Sequence, residues 1–256
     1  MKVFRHTGWM IVRQLRNLMR EPIWIALMVI QPLIWLLLYG QLFSRVGALR
    51  GGADSYVEFL APGIICMNAF FGGSWSGMAM ISDLDRHVID RFLAAPASRF
   101  AIILSQVVRA GLIAVFQAVL LLVLGLALGV RVHGGLPGWL VVFAASALLA
   151  MAFAGFSHGI ALLVRKEASM IAAANFVGLP LMFLSAILIP PRQMPHWIEQ
   201  LSRFNPVNWG VHAARNAIVA GGDWGASSMY LGLLVAASAA TSLFATLCFR
   251  AYQRAI

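Results

Sequence analysis

Side chains able to do chemistry are sparse in this chain, and one short stretch concentrates them. The densest group is DLDRHVIDRFLAAPASR, residues 83–99. On a helix Arg86 and Asp90 stand four residues apart and pair, while Asp83, Asp85 and Arg91 add surface charge. Val88, Phe92 and Leu93 supply apolar anchors, and Ala94-Ala95-Pro96 turns the chain. Charge mixed with a Phe-Leu pair suits a short helix that docks into a groove on a soluble partner; a solvated loop is the other reading. Elsewhere His158, in GFSHGI, sits inside an apolar stretch as either an inter-helix hydrogen-bonding residue or a proton relay. Glu58 stands at the edge of another such stretch as an interfacial carboxylate.

Enzymatic signatures are missing. The sequence contains no HExxH, CxxC or GxSxG. Its two lysines, Lys2 and Lys166, lie outside any GxxxxGK context, so no phosphate-cradling loop is present and ATP chemistry must come from another polypeptide. Cys66 and Cys248 both fall in apolar stretches, which indicates neither a disulfide framework nor a Cys-rich metal site. No catalytic residue, metal or cofactor is expected in this chain.

The elements that hold these residues are membrane helices. The chain of 256 residues is 61% hydrophobic and 11% charged, with a mean hydropathy of +0.84, a composition that belongs in lipid. Six windows of at least 21 residues lack Asp, Glu, Lys and Arg: 22–44, 59–82, 110–130, 132–164, 168–191 and 224–249. Each is long enough to cross a hydrocarbon core of roughly 30 Å as a helix. The alternation of polar and apolar residues that marks barrel strands is absent, so the expected class is an all-α membrane protein with six spans.

An even number of spans puts both termini on one side. Placing them in the cytosol gives that side thirteen of the nineteen basic residues, as the positive-inside rule requires. The net charge of +10 is thereby explained by topology, with no nucleic-acid partner implied. Residues 2–20 carry Arg5, Arg13, Arg16 and Arg20 on one arc beside Phe4, Ile11, Leu15 and Leu18, the pattern of an amphipathic helix lying in the interface. The second span holds Gly72, Gly73, Ser74, Ser76 and Gly77, which allow close helix contact. Arg165-Lys166-Glu167 makes a tight cytosolic turn. Residues 190–223 read as an external helical hairpin dipping into the outer leaflet, or as an interfacial loop with Trp anchors.

Taken in order, REPIWIALMVIQPLIWLLLYGQLF, YVEFLAPGI, DRHVIDRFLAAPASR and MPHWIEQLSRFNPVNWGVHAAR resemble the ABC-2 type permeases, nearest the bacterial daunorubicin-resistance branch, over almost the whole chain. The resemblance implies one transmembrane domain over residues 1–256 that works as a homodimer, or with a paralogous permease, on two separate ABC ATPase subunits that carry ATP and Mg2+. It implies that residues 83–99 form the coupling helix, so that Asp83, Asp85, Arg86, Asp90, Arg91, Phe92, Leu93 and Pro96 dock the ATPase together with Arg165 and Lys166. It implies a pathway lined from spans two and five by Asn68, Phe71, Trp75, Asn175 and Phe176. Re-entrant helices would carry an external gate at Pro190, Trp197, Phe204, Asn205 and Trp209. The island departs from relatives in having three aspartates and no glutamate. The expected function is export of an amphiphilic drug or lipid-like molecule across a bacterial cell membrane. Lipid-linked glycan export comes second; an ion-coupled carrier and a non-transport interaction protein are the rival classes.

Overall fold

The computed structural model describes residues 22–43, 45–46, 51, 53–86, 99–219 and 222–254. The amphipathic segment 2–20, and Asp90, Arg91, Phe92, Leu93 and Pro96 of the island, lie outside the described residues. All regular elements among the described residues are helical: α1 (Pro22–Leu42), α2 (Tyr56–Trp75), α3 (Gly77–Asp85), α4 (Arg99–Ala127), α5 (Gly135–Val164), α6 (Glu167–Phe183), a 3-10 turn (Pro191–Gln193), α7 (His196–Ser202), α8 (Pro206–Ile218) and α9 (Trp224–Arg254).

Helix α5 is the axis of the bundle and packs against α9, α4, α2, α8 and α3. Its sequence permits this because small residues sit where backbones meet. A Cβ on Gly155 would come within 2.7 Å of the Thr241 hydroxyl on α9, and one on Gly73 within 2.5 Å of the Ala150 carbonyl on α5. In lipid, contact between helices relies on close packing of this kind. Two apolar cores result. One joins Phe59, Leu60 and Phe70 of α2 to Leu149 of α5 and Val211 of α8. The other, at the opposite end, joins Ile81 of α3, Ile103 of α4, Leu162 of α5 and Phe249 of α9.

The second apolar window is one rod interrupted at Ser76. The Ser76 hydroxyl donates to Gly73 O at 2.6 Å and its amide reaches the same oxygen at 3.1 Å. Ser157 of α5 takes over the groups this frees: its hydroxyl accepts from Gly77 N at 2.9 Å and donates to Ser74 O at 2.5 Å. A side chain inserted into the helical ladder is a recognised cause of a break. Ser157→Ala would strand a buried amide and a buried carbonyl, at a cost of about 1–3 kcal/mol. Thermal unfolding of the detergent-solubilised chain reads this directly; an unchanged midpoint would show that the break stands without Ser157.

Among the described residues four helices are long and apolar enough to cross a membrane: Tyr56–Asp85, Ile102–Ala127, Gly135–Val164 and Trp224–Arg254. They correspond to the second, third, fourth and sixth windows. Of the other two windows, the first holds α1 and the fifth holds the shorter α6, Glu167–Phe183. The fifth is cut short because residues after Phe183 leave the helix and are held by other side chains. The third window, 110–130, falls in α4, which is described from Arg99 to Ala127, and a turn closed by Val130 N on Gly125 O at 2.9 Å follows it.

Candidate functional site

Between α1, α2, α4 and α6 lies a cleft of about 680 Å³. Helix α2 contributes Met67, Asn68, Phe71, Gly72 and Trp75, and α1 contributes Gln31, Pro32 and Trp35. Gln117 projects from α4, while Leu179, Met182 and Phe183 close the α6 side. Among the described residues no lining side chain is charged. The volume falls within the range of small-molecule sites, and the wall follows their usual plan of apolar and aromatic surface with a few polar groups. Two of those groups have unmet hydrogen-bonding capacity: Asn68 Nδ2, a donor, and Gln117 Oε1, an acceptor, are buried without a protein partner. A buried polar atom left unpaired is costly unless something else meets it.

Of the five pathway residues expected from the sequence, Asn68, Phe71 and Trp75 line this cleft. Asn175 and Phe176 do not; they stand exposed on α6, Phe176 at 83%. Gln31, Trp35 and Gln117 were not foreseen. Gln117 left a signal, being the one polar side chain in its charge-free window.

At one end of the bundle the chain between α6 and α7 is held by a collar of side chains from the α7–α8 unit. Asn205 caps α8 by accepting from Val207 N at 2.9 Å and donates to Leu181 O at 2.6 Å and Leu184 O at 3.0 Å. Asn208 accepts from Ala186 N at 3.0 Å. Tyr56 of α2 donates to Leu188 O at 3.0 Å. The centre of the collar is Arg215 of α8, which is buried. Its guanidinium donates to Phe59 O at 3.2 Å, Ala186 O at 2.8 Å and Ile187 O at 3.4 Å, and lies 3.7 Å from the centroid of the Phe59 ring. Burial pulls its pKa down to about 9, which still leaves it cationic near neutral pH.

The expected gate residues divide. Pro190 and Asn205 are buried, Trp209 donates to Arg203 O at 2.7 Å, and Trp197 and Phe204 point outward. Glu199 and Arg203 form their i,i+4 pair at 3.3 Å.

The opposite end carries what is described of the docking residues. Asp85 and Arg86 are exposed at the end of α3, and Asp83 accepts from Gln106 Nε2 at 3.5 Å. Arg165 ends α5 with a left-handed φ of 56°, uncommon for a residue with a side chain, and its guanidinium lies 4.6 Å from the Tyr252 ring centroid on α9. Lys166 follows it, exposed. His158 donates from Nδ1 to Ala154 O at 2.6 Å, has Ser76 Oγ at 3.5 Å, and keeps Nε2 buried without a partner.

A bundle that is helical throughout its described residues, with four apolar spans, defines a multi-pass membrane protein. The ABC-2 type transporter family matches residues 5–219, and the chain belongs to that family. It is 31% identical over 201 residues to the transport permease ycf38 of Cyanophora paradoxa, covering 78% of this chain and 69% of that one. It is 29% identical over 236 residues to DrrB1, a daunorubicin resistance ABC transporter permease protein of Streptomyces coeruleorubidus, covering 91% of this chain and 80% of that one. A multidrug ABC transporter permease of Escherichia coli strain K12, YbhR, is 23% identical over 154 residues, 59% of this chain and 41% of its own. The chain is the membrane permease subunit of an ABC exporter, a class that works with an ABC ATPase partner.

Proposed function

We propose that the chain exports an amphiphilic drug or lipid-like molecule from the cytosol of a bacterial cell, as one of two permease copies driven by two ATPase subunits carrying ATP and Mg2+. The cleft carries this reading: aromatic walls from Trp35, Phe71 and Trp75, an unpartnered donor on Asn68, an unpartnered acceptor on Gln117 and no fixed charge suit a flat apolar molecule with a polar group. In this reading α1 and α6 complete six spans and both termini are cytosolic. The α7–α8 unit re-enters the outer leaflet and gates the exit. Asn175 and Phe176, exposed on α6, face a pathway between the two copies. Residues 83–99 and the Arg165-Lys166 turn receive the ATPase, whose nucleotide cycle shifts the permease between inward-open and outward-open arrangements of nearly equal energy.

The test is reconstitution with the partner ATPase in proteoliposomes. ATP-dependent movement of a lipophilic aromatic drug is expected. Gln117→Leu should lower it about fivefold, the effect of losing one neutral hydrogen bond of roughly 1 kcal/mol, with the ATPase still bound. Phe92→Ala with Leu93→Ala should lose both the ATPase and transport while the chain still inserts. Vigorous ATP turnover without drug movement would rule out the substrate class, and normal transport by the double variant would remove the docking assignment.

A further inference from the structure

A group of residues that the transport reading leaves unused stands at the Arg215 end. Asp54 precedes Ser55, which caps α2 by accepting from Glu58 N at 3.1 Å. His133 reaches the same spot from the loop between α4 and α5. Glu58 Oε1 lies 3.4 Å from His133 Nδ1, and Asp54 Oδ2 lies 4.0 Å from His133 Nε2. One donor atom from each of the three residues lies within 4.8 Å of the other two.

Burial separates this group from a surface ion pair. The Glu58 side chain is 3% exposed, against 32% for His133 and 76% for Asp54. A carboxylate so enclosed beside the apolar core around Phe59 and Leu60 is costly unless its oxygens are met by a cation or by hydrogen bonds. Two ligands bound to one tetrahedral metal at 2.0–2.2 Å stand about 3.4 Å apart, the separation of Glu58 Oε1 and His133 Nδ1. The 4.0 Å contact of Asp54 is to the other ring nitrogen, so its exposed side chain has to rotate toward Glu58 to serve as the third ligand to the same ion. One imidazole and two carboxylates with a fourth position open to water suit Zn2+ or Co2+; Ca2+ wants six or more oxygens, and Mg2+ a nearly all-oxygen octahedron. The backbone is already anchored, because His133 N donates to Ile218 O at 2.9 Å at the end of α8.

We propose that Asp54, Glu58 and His133 bind one transition-metal dication of the Zn2+ type. The ion ties the start of α2 to the α4–α5 loop and, through the His133 amide, to α8 and its Arg215 collar. The site regulates or stiffens that end of the permease; it is not part of the drug cleft, and its test does not depend on transport.

The experiment uses the full chain in detergent, with any affinity tag removed and metals stripped by chelator. Zn2+ titration calorimetry should show one saturable site per chain, Co2+ should give a tetrahedral visible spectrum, and Zn2+ should raise the unfolding temperature. His133→Ala, Glu58→Gln and Asp54→Asn should each weaken binding by about tenfold or more and abolish the thermal shift. Asp54→Asn changes an exposed side chain, so its effect is read on a folded protein, checked by an unchanged helical circular dichroism spectrum. Non-saturable binding by the unaltered chain, or Zn2+ affinity in His133→Ala and Asp54→Asn equal to that of the unaltered chain, would overturn the proposal and leave the three residues as an ion pair only.

Discussion

Arg215→Ala should be the most damaging single substitution at the collar end, with a loss of roughly 3 kcal/mol in the stability of the solubilised chain. The guanidinium reaches carbonyls on two separate segments, Phe59 of α2 and Ala186 and Ile187 of the chain after α6. Ala186 and Ile187 lie outside a helix and have no i+4 amide to fall back on. Hydrogen bonds from a charged donor contribute about 1.5–3 kcal/mol each, and each carbonyl left unmet costs about 1–3 kcal/mol. Part of this is offset by the desolvation cost that Arg215 itself no longer incurs. Arg215→Lys should not fully restore the loss, because an ammonium has neither the Nε bond to Phe59 O nor the planar group that lies over the Phe59 ring. The measurement is the unfolding midpoint and monodispersity in detergent; wild-type behaviour in both variants would mean that the collar is held by Asn205 and Asn208 alone.

The second large effect is expected where α2 meets α5. Gly73→Val should destabilise the bundle by about 1–3 kcal/mol, the usual cost of overpacking, and reduce ATP-driven transport by at least about tenfold. A side chain at Gly73 meets the Ala150 carbonyl at 2.5 Å and the Phe153 Cβ at 3.1 Å. The first of these is backbone and cannot rotate away, so the helices must separate. Gly72→Ala is the matched control: its Cβ would face the cleft with only Gln117 Oε1 at 3.9 Å. The control should fold and insert normally. If Gly73→Val behaved like it, the close approach of α2 and α5 would not matter to assembly or to transport.

What the sequence revealed and what it hid divide along a physical line. The charge-free window 132–164 anticipated α5 almost to the residue, since the absence of charge over more than thirty residues has few meanings. Pro195, the Glu199–Arg203 spacing and Asn205-Pro206 marked out α7 and α8, because caps and i,i+4 pairs are local. Contacts between distant segments were hidden. The burial of Arg215 was not legible because nothing near it in sequence is its partner, and Glu58 and His133 meet only once α4 and α5 are packed. The rotation of α6 was also hidden: Asn175 and Phe176 stand away from the cleft while Leu179, Met182 and Phe183 close it, a difference of phase that a uniformly apolar helix does not encode.

The collar also constrains how the chain is made. Phe59 leaves the ribosome 156 residues before Arg215, and Ala186 and Ile187 come out shortly before it. Until α8 is synthesised, the carbonyls of Ala186 and Ile187 have no donor; until α2 and the segment after α6 are in place, a guanidinium entering the bilayer has no acceptors. The last third of the chain therefore acts as a checkpoint on the first. A nascent permease whose early helices are misplaced lacks the Phe59 carbonyl and ring against which Arg215 seats.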